Sequence, residues 1–548
     1  MSQVFFPQFK KGKEGIPIHP GLTILDYIRK LGIEINAECG GNGKCGKCII
    51  RIEKGIKNLN EPTLLEKKFP LGENERLACQ ARTIKDIEDI IIFLKSFSKY
   101  EILKYGTERK IPLSPVFYKK GNEVVKDGIL PFSILQNIGK YQGKIYGLAI
   151  DIGTTTIVFN LVDMENGNVL ETVAEMNPQI SYGNDVISRI EFASINKETK
   201  KYLEEKEKKE KVKILQKLVI DLINTSIEKL SDKTGEDLSQ YIYEVVVVGN
   251  STMRNIFFGL DISSLGTIPY EPVHRESIIM KPEELGLKIN PKGQIYGASL
   301  IGSHVGADIL GDVLASEIYK SEEICMIVDI GTNGEVVIGN KNKLLCTSCA
   351  AGGAFEGTSV TSGTGAIEGA IKEIEIIDGR VVYSTIGNKY PVGICGSGLI
   401  DLLAELLNKK IMSKNAKINQ DFYIIGEIKI TQADIYQLIT SKAAIKTGEE
   451  ILMKLYPCKI EQLGKIYLSG GFGTFIKIKN AIKIGIIPDI KEDKIIKIGN
   501  GALEGAREML LSKERRRLSE EIAKKIKHIK TNEIEKNFDY IMAENMYF

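Results

Sequence analysis

GLAIDIGTTTIVFNLVD, residues 147–163, and MIVDIGTNGEVVIGN, residues 326–340, are one pattern written twice. Each is an apolar run that ends in aspartate, turns over Ile-Gly-Thr and resumes as a second apolar run, which predicts strand, tight turn, strand. Each is followed by a strand that ends in glycine, EVVVVGNST (residues 244–252) and KIYLSGGFG (residues 465–473). Each half then closes on a helix of small residues, GSHVGADILGDVLA (residues 302–315) and GNGALEGAREML (residues 499–510). Duplication of this kind predicts two similar α/β lobes facing one another.

The residue types at the two turns point to phosphate chemistry. Phosphate oxygens need N–H and O–H donors that approach closely, and a glycine turn exposes backbone N–H groups. Gly153 and Gly331 supply the turns; Thr154, Thr155, Thr332 and Asn333 add side-chain donors. Asp151 and Asp329, at the strand ends, suit a hydrated Mg²⁺, which takes oxygen ligands and keeps waters. Gly470, Gly471 and Phe472, with Gly473, form a turn against which adenine and ribose can lie. Asp308 is a candidate to orient the attacking water or the metal, and Asn250 and Ser251 are candidates to face the cleft. A lone Asp-x-Gly-Thr is a common turn; two in register with duplicated downstream elements predict a nucleotide site. There is no GxxxxGK[ST], so a P-loop is excluded as that site.

A second chemistry sits near the N-terminus. AECGGNGKCGKC (residues 37–48) and RLACQ (residues 76–80) carry Cys39, Cys45, Cys48 and Cys79. Four thiolates are the ligand set of a 2Fe–2S cluster. Gly40, Gly41, Gly43 and Gly46 remove the Cβ atoms that would keep backbone N–H groups away from the sulfides. Nine cysteines, an odd number, do not read as a disulfide framework. A net charge of +3 is too small to argue for a nucleic-acid or membrane surface. The opening residues, MSQVFFPQFKKGKEG, hold no apolar leader core, so a cytoplasmic location is expected.

At 548 residues the chain is long enough for several domains. Residues 1–95 read as one unit: a strand in VFFPQ, a turn in GIPIHPG, and a helix in TILDYIRKLG stopped by Gly32. The cluster loop, a strand in CIIRIEKG, a helical EPTLLEKKFPL, extended RLACQART and a last strand in DIEDIIIFL complete it. Residues 96–146, with Pro112, Pro115 and Pro131 among lysines and glycines, read as a linker with little structure of its own, either a tether or a strap. Residues 147–515 hold the duplicated region, with lobes of about 147–320 and 321–515, and NKETKKYLEEKEKKEKVKILQKLVIDLI within it reads as one long helix. Residues 516–548 read as a charged helical extension.

The N-terminal order of strands, one helix and a cluster loop resembles the β-grasp ferredoxin fold, and the Cys-x5-Cys-x2-Cys spacing is similar to that of adrenodoxin-type ferredoxins. The order hairpin, small helix, hairpin, glycine turn, small helix resembles the superfamily of actin, sugar kinases and heat-shock ATPases. The expected fold class is therefore α/β in a multidomain α+β chain: a β-grasp ferredoxin domain and then a two-lobed, duplicated actin-like ATPase. This pairing, with AAGGAFEG (residues 350–357) and VGICGSGLID (residues 392–401), resembles the reductive activators of corrinoid proteins. That resemblance implies an ATPase that uses ATP and Mg²⁺ and transfers one electron from its 2Fe–2S cluster to the Co(II) state of a corrinoid protein or corrinoid methyltransferase, regenerating Co(I). It implies a low-potential electron donor as a further partner, and leaves a homodimer open. The chain departs from the pattern in having only about fifty residues between its ferredoxin and ATPase parts.

Other readings bear on the same residues. A small-molecule kinase with a redox-sensing ferredoxin needs a pocket base toward a hydroxyl substrate, and nothing in the sequence marks a sugar site. A non-enzymatic ATP-binding scaffold predicts negligible hydrolysis. The activators of radical dehydratases resemble the ATPase half but lack an N-terminal ferredoxin domain. Cys346 and Cys349 form a CxxC that reads as buried small residues rather than half a zinc site, and Cys325, Cys395 and Cys458 stand singly. His304 reads as a surface or cleft histidine.

Overall fold

The structure, a computed structural model, describes residues 2–9, 12–33, 35, 37, 39–44, 46–69, 71–94, 109–128, 135–196, 199, 201–331, 333–470 and 475–548. They fall into two compact units, Met1–Lys99 with Asn177–Lys211, and Tyr100–Met176 with Val212–Phe548.

In the first unit, strands β1 (Gln3–Phe5), β2 (Ile16–Pro17), β3 (Ile49–Lys54), β4 (Glu75–Leu77) and β5 (Ile90–Leu94) form one sheet in the order β2-β1-β5-β3-β4. GIPIHPG, expected as a turn, contributes β2, because Ile16 and Pro17 pair with Val4 and Gln3. Helix α1 (Ile24–Lys30) starts at a reciprocal cap: Thr23 Oγ1 accepts from the Asp26 N–H, and the Asp26 carboxylate accepts from the Thr23 N–H. Its apolar face, Ile24, Leu25 and Ile28, packs with Val4, Ile50, Leu77 and Ile90 in the core. EPTLLEKKFPL is not the expected helix: it keeps a single tight turn, Glu66–Lys68. The Glu66 carboxylate is recruited elsewhere. It accepts from Arg76 Nε at 2.7 Å and Nη2 at 2.9 Å, and from the Leu77 N–H at 3.0 Å. Burial alone would raise its pKa, but these donors hold it below the usual value. This buried pair fixes β4 two residues before Cys79.

The other part of the first unit is Asn177–Lys211, with helix α2 (Val186–Ser194) capped by Asp185. Helix α3 (Glu205–Thr234) begins well inside the long helix expected from the sequence, since Ile195 and Tyr202 bridge as extended chain before it.

In the second unit, residues 96–146 are not structureless over their described part. Strands β6 (Phe117–Lys120), β7 (Glu123–Lys126) and β8 (Gln136–Lys140) form an antiparallel sheet. Val116, Phe117 and Val124 are buried in the main core, so this described part is packed rather than free. Lysines at the solvent-facing positions hide its short period-two pattern.

The duplicated region follows. β9 (Tyr146–Ile152), β10 (Thr156–Asp163), β11 (Val169–Met176), β12 (Ile242–Val248), β13 (Ile278–Met280) and β14 (Gln294–Gly297) form a sheet ordered β11-β10-β9-β12-β14-β13. β15 (Ile324–Ile330), β16 (Gly334–Asn340) and β17 (Lys343–Cys349) repeat β9 to β11. Smaller sheets are made by β18 (Ala370–Ile377), β19 (Arg380–Thr385) and β20 (Gly393–Ile394), and by β21 (Phe422–Ile425) and β22 (Ile428–Ile430). β23 (Leu463–Ser469), β24 (Ile495–Gly499) and β25 (Lys527–His528) complete the second large sheet, ordered β24-β23-β15-β16-β17-β25. In both, the hairpin strand carrying the aspartate pairs antiparallel with its turn partner and parallel with the glycine-ended strand. The sequence echo is therefore an echo in topology.

Helices α4 (Ser251–Phe257), α5 (Pro282–Leu285) and α6 (Ala307–Ser316) belong to the first half; α7 (Gly396–Asn408), α8 (Gln432–Leu455), α9 (Ile478–Ile484) and α10 (Gly501–Leu511) to the second. The matched small-residue helices α6 and α10 pack directly on one another. A Cβ added at Gly505 would lie 2.2 Å from Gly311 Cα, and one at Gly311 would lie 2.6 Å from the Ala502 carbonyl oxygen. The C-terminal extension is helical, as expected, and clamps onto the core. α11 (Lys513–Lys525) sends fully buried Arg516 to fully buried Glu244 on β12 at 2.9 Å, with the guanidinium 4.3 Å from the Tyr296 ring centre. α12 (Thr531–Ile534) and α13 (Phe538–Glu544) follow. Among the described residues no helix is long and apolar enough to cross a membrane.

Candidate functional site

Three of the four cluster cysteines, Cys39, Cys48 and Cys79, lie among the described residues and converge in the first unit; Cys45 lies outside them. β4 and the Glu66–Arg76 pair place Cys79, the start of β3 places Cys48, and the loop after α1 places Cys39. The Cys79 thiol is within hydrogen-bond reach of both Cys39 and Cys48, and its donated hydrogen bond pulls the Cys48 thiol down while its own rises. Side-chain and backbone N–H groups also aim at sulfur, from Lys44 N to Cys39 Sγ at 3.4 Å and from Gln80 Nε2 to Cys79 Sγ at 3.6 Å. Around the loop, Gly40, Gly41, Gly43 and Gly46 all adopt positive φ, at 60°, 93°, 68° and 70°. A Cβ at Gly46 would sit 2.4 Å from the Phe69 ring. A tight, N–H-lined set of converging thiols fits a 2Fe–2S cluster.

The second site lies in the second unit. Asp151, at the end of β9, accepts from Asn500 Nδ2 at 2.9 Å, so the cap residue of α10 reaches the first hairpin. Asp329, at the end of β15, lies beside Asp312 of α6, whose Oδ1 accepts from Ser469 Oγ at 2.6 Å. Asp308 sits one turn earlier on α6. Burial pushes these carboxyls up, to about 7 for Asp151, about 8 for Asp308 and about 6 for Asp329, and Asp312 well above its usual value. Their own charges add to this: Asp151 feels Asp329, and Asp308 feels Asp151 and Asp329. Asp151, Asp308 and Asp329 nevertheless keep intermediate exposure, so water reaches the floor they form. Carboxyls so crowded gain from a divalent cation, which favours their charged forms. The donor set fits Mg²⁺.

The donors stand around that floor. Thr154 Oγ1 accepts from Asn250 Nδ2 at 3.0 Å, while Asn250 Oδ1 caps α4. Thr155 Oγ1 donates to the Glu356 carboxylate at 3.1 Å. Gly153 needs to be glycine, since a Cβ there would lie 2.5 Å from the Thr156 carbonyl oxygen. Gly470, at φ 110°, passes so close to Asp329 that a Cβ would lie 3.0 Å from its carboxylate and 2.5 Å from the Ile330 carbonyl oxygen. Its place in the structure is thus to seat β23 against the Asp329 end of β15. Gly331 and Asn333 are at the second turn; Thr332, Gly471 and Phe472 lie outside the described residues. Ser251, by contrast, turns away to the Val305 carbonyl.

Four residues of this site are absent from the sequence reading: Asp312, Glu335, Glu356 and Asn500. Glu335 sits opposite Asp329 in the β15–β16 register and accepts from Ser348 Oγ at 3.1 Å. Asp312 had a visible signal, being one helical turn from Asp308 on the same face. Cys346 and Cys349 do not meet. Three apart on β17, they point to opposite faces and enter different cores, with burial raising both thiols. His304 is half-buried with its ring 6.0 Å from Tyr270, and burial lowers its pKa.

Comparison with known proteins matches this architecture. Residues 9–83 match the 2Fe-2S iron-sulfur cluster binding domain, residues 146–321 the RACo middle region, and residues 323–548 the C-terminal domain of RACo, the ASKHA domain. The middle-region match falls on the stretch read as the first lobe, not on a separate insert. The chain is 28% identical to the corrinoid activation enzyme RamQ of Eubacterium limosum over 615 residues, covering 100% of this chain and 99% of the relative. It is 26% identical to the [Co(II) methylated amine-specific corrinoid protein] reductase of Methanosarcina barkeri over 417 residues, covering 70% of this chain and 73% of that one. The solved structure of a reductive activator for corrinoid, iron-sulfur protein matches with a TM-score of 0.72 at 29% identity, covering 100% of this chain and 98% of the other. With its ferredoxin, middle and ASKHA segments in that order, and a full-length match in both sequence and structure, the chain belongs to the reductive activators of corrinoid proteins.

Proposed function

We propose that this chain is an ATP-dependent reductive activator that transfers one electron from its 2Fe–2S cluster to the Co(II) state of a corrinoid protein or corrinoid methyltransferase, regenerating Co(I). The observation that carries this is the joining, in one chain, of a converging cysteine loop and a recess of buried carboxylates between duplicated hairpins. When bound, a 2Fe–2S cluster of plant type supplies one-electron chemistry at roughly −400 mV. Cob(I)alamin is a stronger reductant than that, and each 59 mV of uphill gap costs a factor of about ten in a one-electron equilibrium. A nucleotide cycle helps only if it favours one state of the complex by differential affinity.

In this reading Cys39, Cys45, Cys48 and Cys79 hold the cluster. Asp151 and Asp329 hold hydrated Mg²⁺; Thr154, Thr155, Thr332 and Asn333, with the Gly153 and Gly331 turns, grip phosphate; Gly470, Gly471 and Phe472 border the nucleoside. Asp308 and Asp312 orient the attacking water or metal-bound waters. Lobes of about 147–320 and 321–515 close on the nucleotide. A low-potential donor reloads the cluster, the chain works in the cytoplasm without nucleic acid or membrane, and a homodimer is compatible with the reading. The full-length match to a reductive activator supports this over the kinase and scaffold readings.

The test is direct. Reduced, cluster-loaded protein is mixed anaerobically with a Co(II) corrinoid protein, with and without Mg–ATP, and the Co(I) absorption is followed. Co(I) should form faster and further with ATP. Partner-stimulated ATP hydrolysis with no Co(I) from any corrinoid partner would sink the proposal.

A further inference from the structure

A largely buried cation stands beside the cysteine loop. Arg29, on α1, keeps only 14% of its side chain exposed. Its Nε donates to the Ser181 carbonyl at 2.8 Å, Nη2 donates to the same oxygen, and Nη2 also donates to the Gly40 carbonyl at 3.3 Å. The guanidinium lies 4.5 Å from the centre of the Tyr182 ring, which packs in turn on Phe192 of α2 at 4.6 Å. Two carbonyls and an aromatic face thus fix the cation in place. The chain that supplies Ser181 and Tyr182 is itself braced: fully buried Arg189 donates to the Gly183 carbonyl and to Gln179 Oε1, both at 2.9 Å.

This hold brings the charge to the cluster ligands. A Cβ at Gly41 would lie 3.7 Å from Cys79 Cβ and 3.8 Å from Arg29 Nη2, so Cys79 and the guanidinium face each other across that glycine. Burial lowers the Arg29 pKa, while Tyr182, Asp26, Cys79 and Cys48 hold it up, so the cation is close enough to feel both buried cysteines. An arginine keeps its proton at any ordinary pH. Its carboxylate neighbour is Asp26, whose Oδ1 is 3.8 Å from Nη1, not from the Nη2 that serves the loop. The Asp26 side chain is 36% exposed and its Oδ2 already accepts from Thr23, so water screens this anion more than it screens the cation.

Electrostatics then fixes a sign. A 2Fe–2S cluster gains one negative charge on reduction, and the charge around it is among the terms that set its potential. A buried cation favours the more negative state, and it does so strongly because little water lies between. We propose that Arg29, held by Ser181 and Tyr182, is the charge that raises the midpoint potential of the cluster. The proposal rests on the assignment of the four cysteines to that cluster. A higher potential makes the cluster easier to fill from its donor and its electron less reducing toward Co(II). Arg29 therefore sets how far uphill the transfer to cobalt runs.

The test reads the potential itself. Wild type, Arg29→Gln, Arg29→Lys and Tyr182→Ala, each full-length and cluster-loaded, are titrated anaerobically with dithionite and redox mediators, and the midpoint is taken from the visible absorption. In Arg29→Gln the ratio of reduced to oxidised cluster at a fixed potential should fall about tenfold, which is about 59 mV for one electron. Arg29→Lys keeps the charge and should move less than half as far. Tyr182→Ala lets water reach the guanidinium and should also lower the potential, by less than Arg29→Gln does. The Arg29→Gln difference should persist in about 0.5 M NaCl, since a buried charge is poorly screened by salt. An unchanged potential in loaded Arg29→Gln overturns the proposal. So do equal falls in Arg29→Gln and Arg29→Lys, which trace the effect to lost packing, and a difference that salt abolishes. A wild-type potential in Tyr182→Ala overturns the hold, and where Arg29→Gln takes up no iron it overturns the whole proposal. Wild-type protein that takes up no iron overturns the cysteine assignment itself; loaded wild type whose potential ignores Arg29 overturns this proposal alone.

Discussion

At the scale of single residues, the proposed ATP chemistry rests on Asp151, Asp308, Asp312 and Asp329. Removing one hydrogen-bonding or charge-stabilising group from such a site costs roughly 10²–10³ in rate. Asp151→Asn should therefore lower ATP hydrolysis about a hundredfold, read by phosphate release, and leave the cluster spectrum unchanged. A pH prediction follows from the same groups. Folding raises their pKa values from 3.8 to about 6, 7 and 8 at Asp329, Asp151 and Asp308. Between the ordinary value and these, the native state binds protons that the unfolded state has lost. Stability therefore falls as pH rises through that window, and the loss is complete only above the highest value. A divalent cation favours the charged forms. Without nucleotide, the gain in Tm from added Mg²⁺ should be larger at pH 8.5 than at pH 5.5. An equal gain at both would separate the metal from these carboxylates.

Helices and strands decide where those residues meet. α6 and α10 carry Asp308 and Asp312 on one side and, at the cap of α10, Asn500 on the other, and they touch through Gly311 and Gly505. Gly505→Leu should cost about 1–3 kcal/mol in urea unfolding by overpacking this crossing, and it should lower ATPase activity by pushing the Asp308 and Asp312 side of α6 away from the Asn500 cap of α10. α11 offers a separate test. Arg516→Ala leaves Glu244 buried without its charged partner, only the Gln294 amide still donating to it, and should destabilise by about 3–5 kcal/mol, whereas Arg516→Met with Glu244→Met should recover most of that loss. What the sequence made legible at this scale follows from period and repetition. The two Asp-Ile-Gly-Thr hairpins, α6, α10 and the cysteine loop each announced themselves by a local pattern. Asn500 looks like an ordinary capping residue until the fold brings it to Asp151, and the one signal for Asp312 is its place a helical turn from Asp308. Glu335 and Glu356 were hidden because strand register and a loop, not spacing, bring them in. The β6–β7–β8 sheet and the absence of a helix over residues 61–69 depart from the sequence expectation for one reason: long-range partners, the core beneath Phe117 and Arg76 beside Glu66, override weak local patterns.

As a whole, the chain joins an electron carrier to a nucleotide machine, and its two sites occupy different compact units. A fusion of this kind is useful only if turnover in one site controls what happens at the other. Two variants separate this coupling from mere tethering. Cys79→Ser removes a cluster ligand. The Glu66–Arg76 pair that positions the neighbouring strand is untouched, so the unit should fold while losing its visible absorption. It should still hydrolyse ATP when the oxidised corrinoid partner is added, yet form no Co(I). Asp151→Asn should show the reverse: an intact cluster that takes up an electron from dithionite, and Co(I) formation reduced to the level wild type reaches without ATP. If Asp151→Asn instead reactivates the partner as well as wild type does, the carboxylate recess is not coupled to electron delivery. If Cys79→Ser loses partner-stimulated hydrolysis, the cluster domain itself takes part in recognising the partner, and the two sites are coupled in the opposite direction as well.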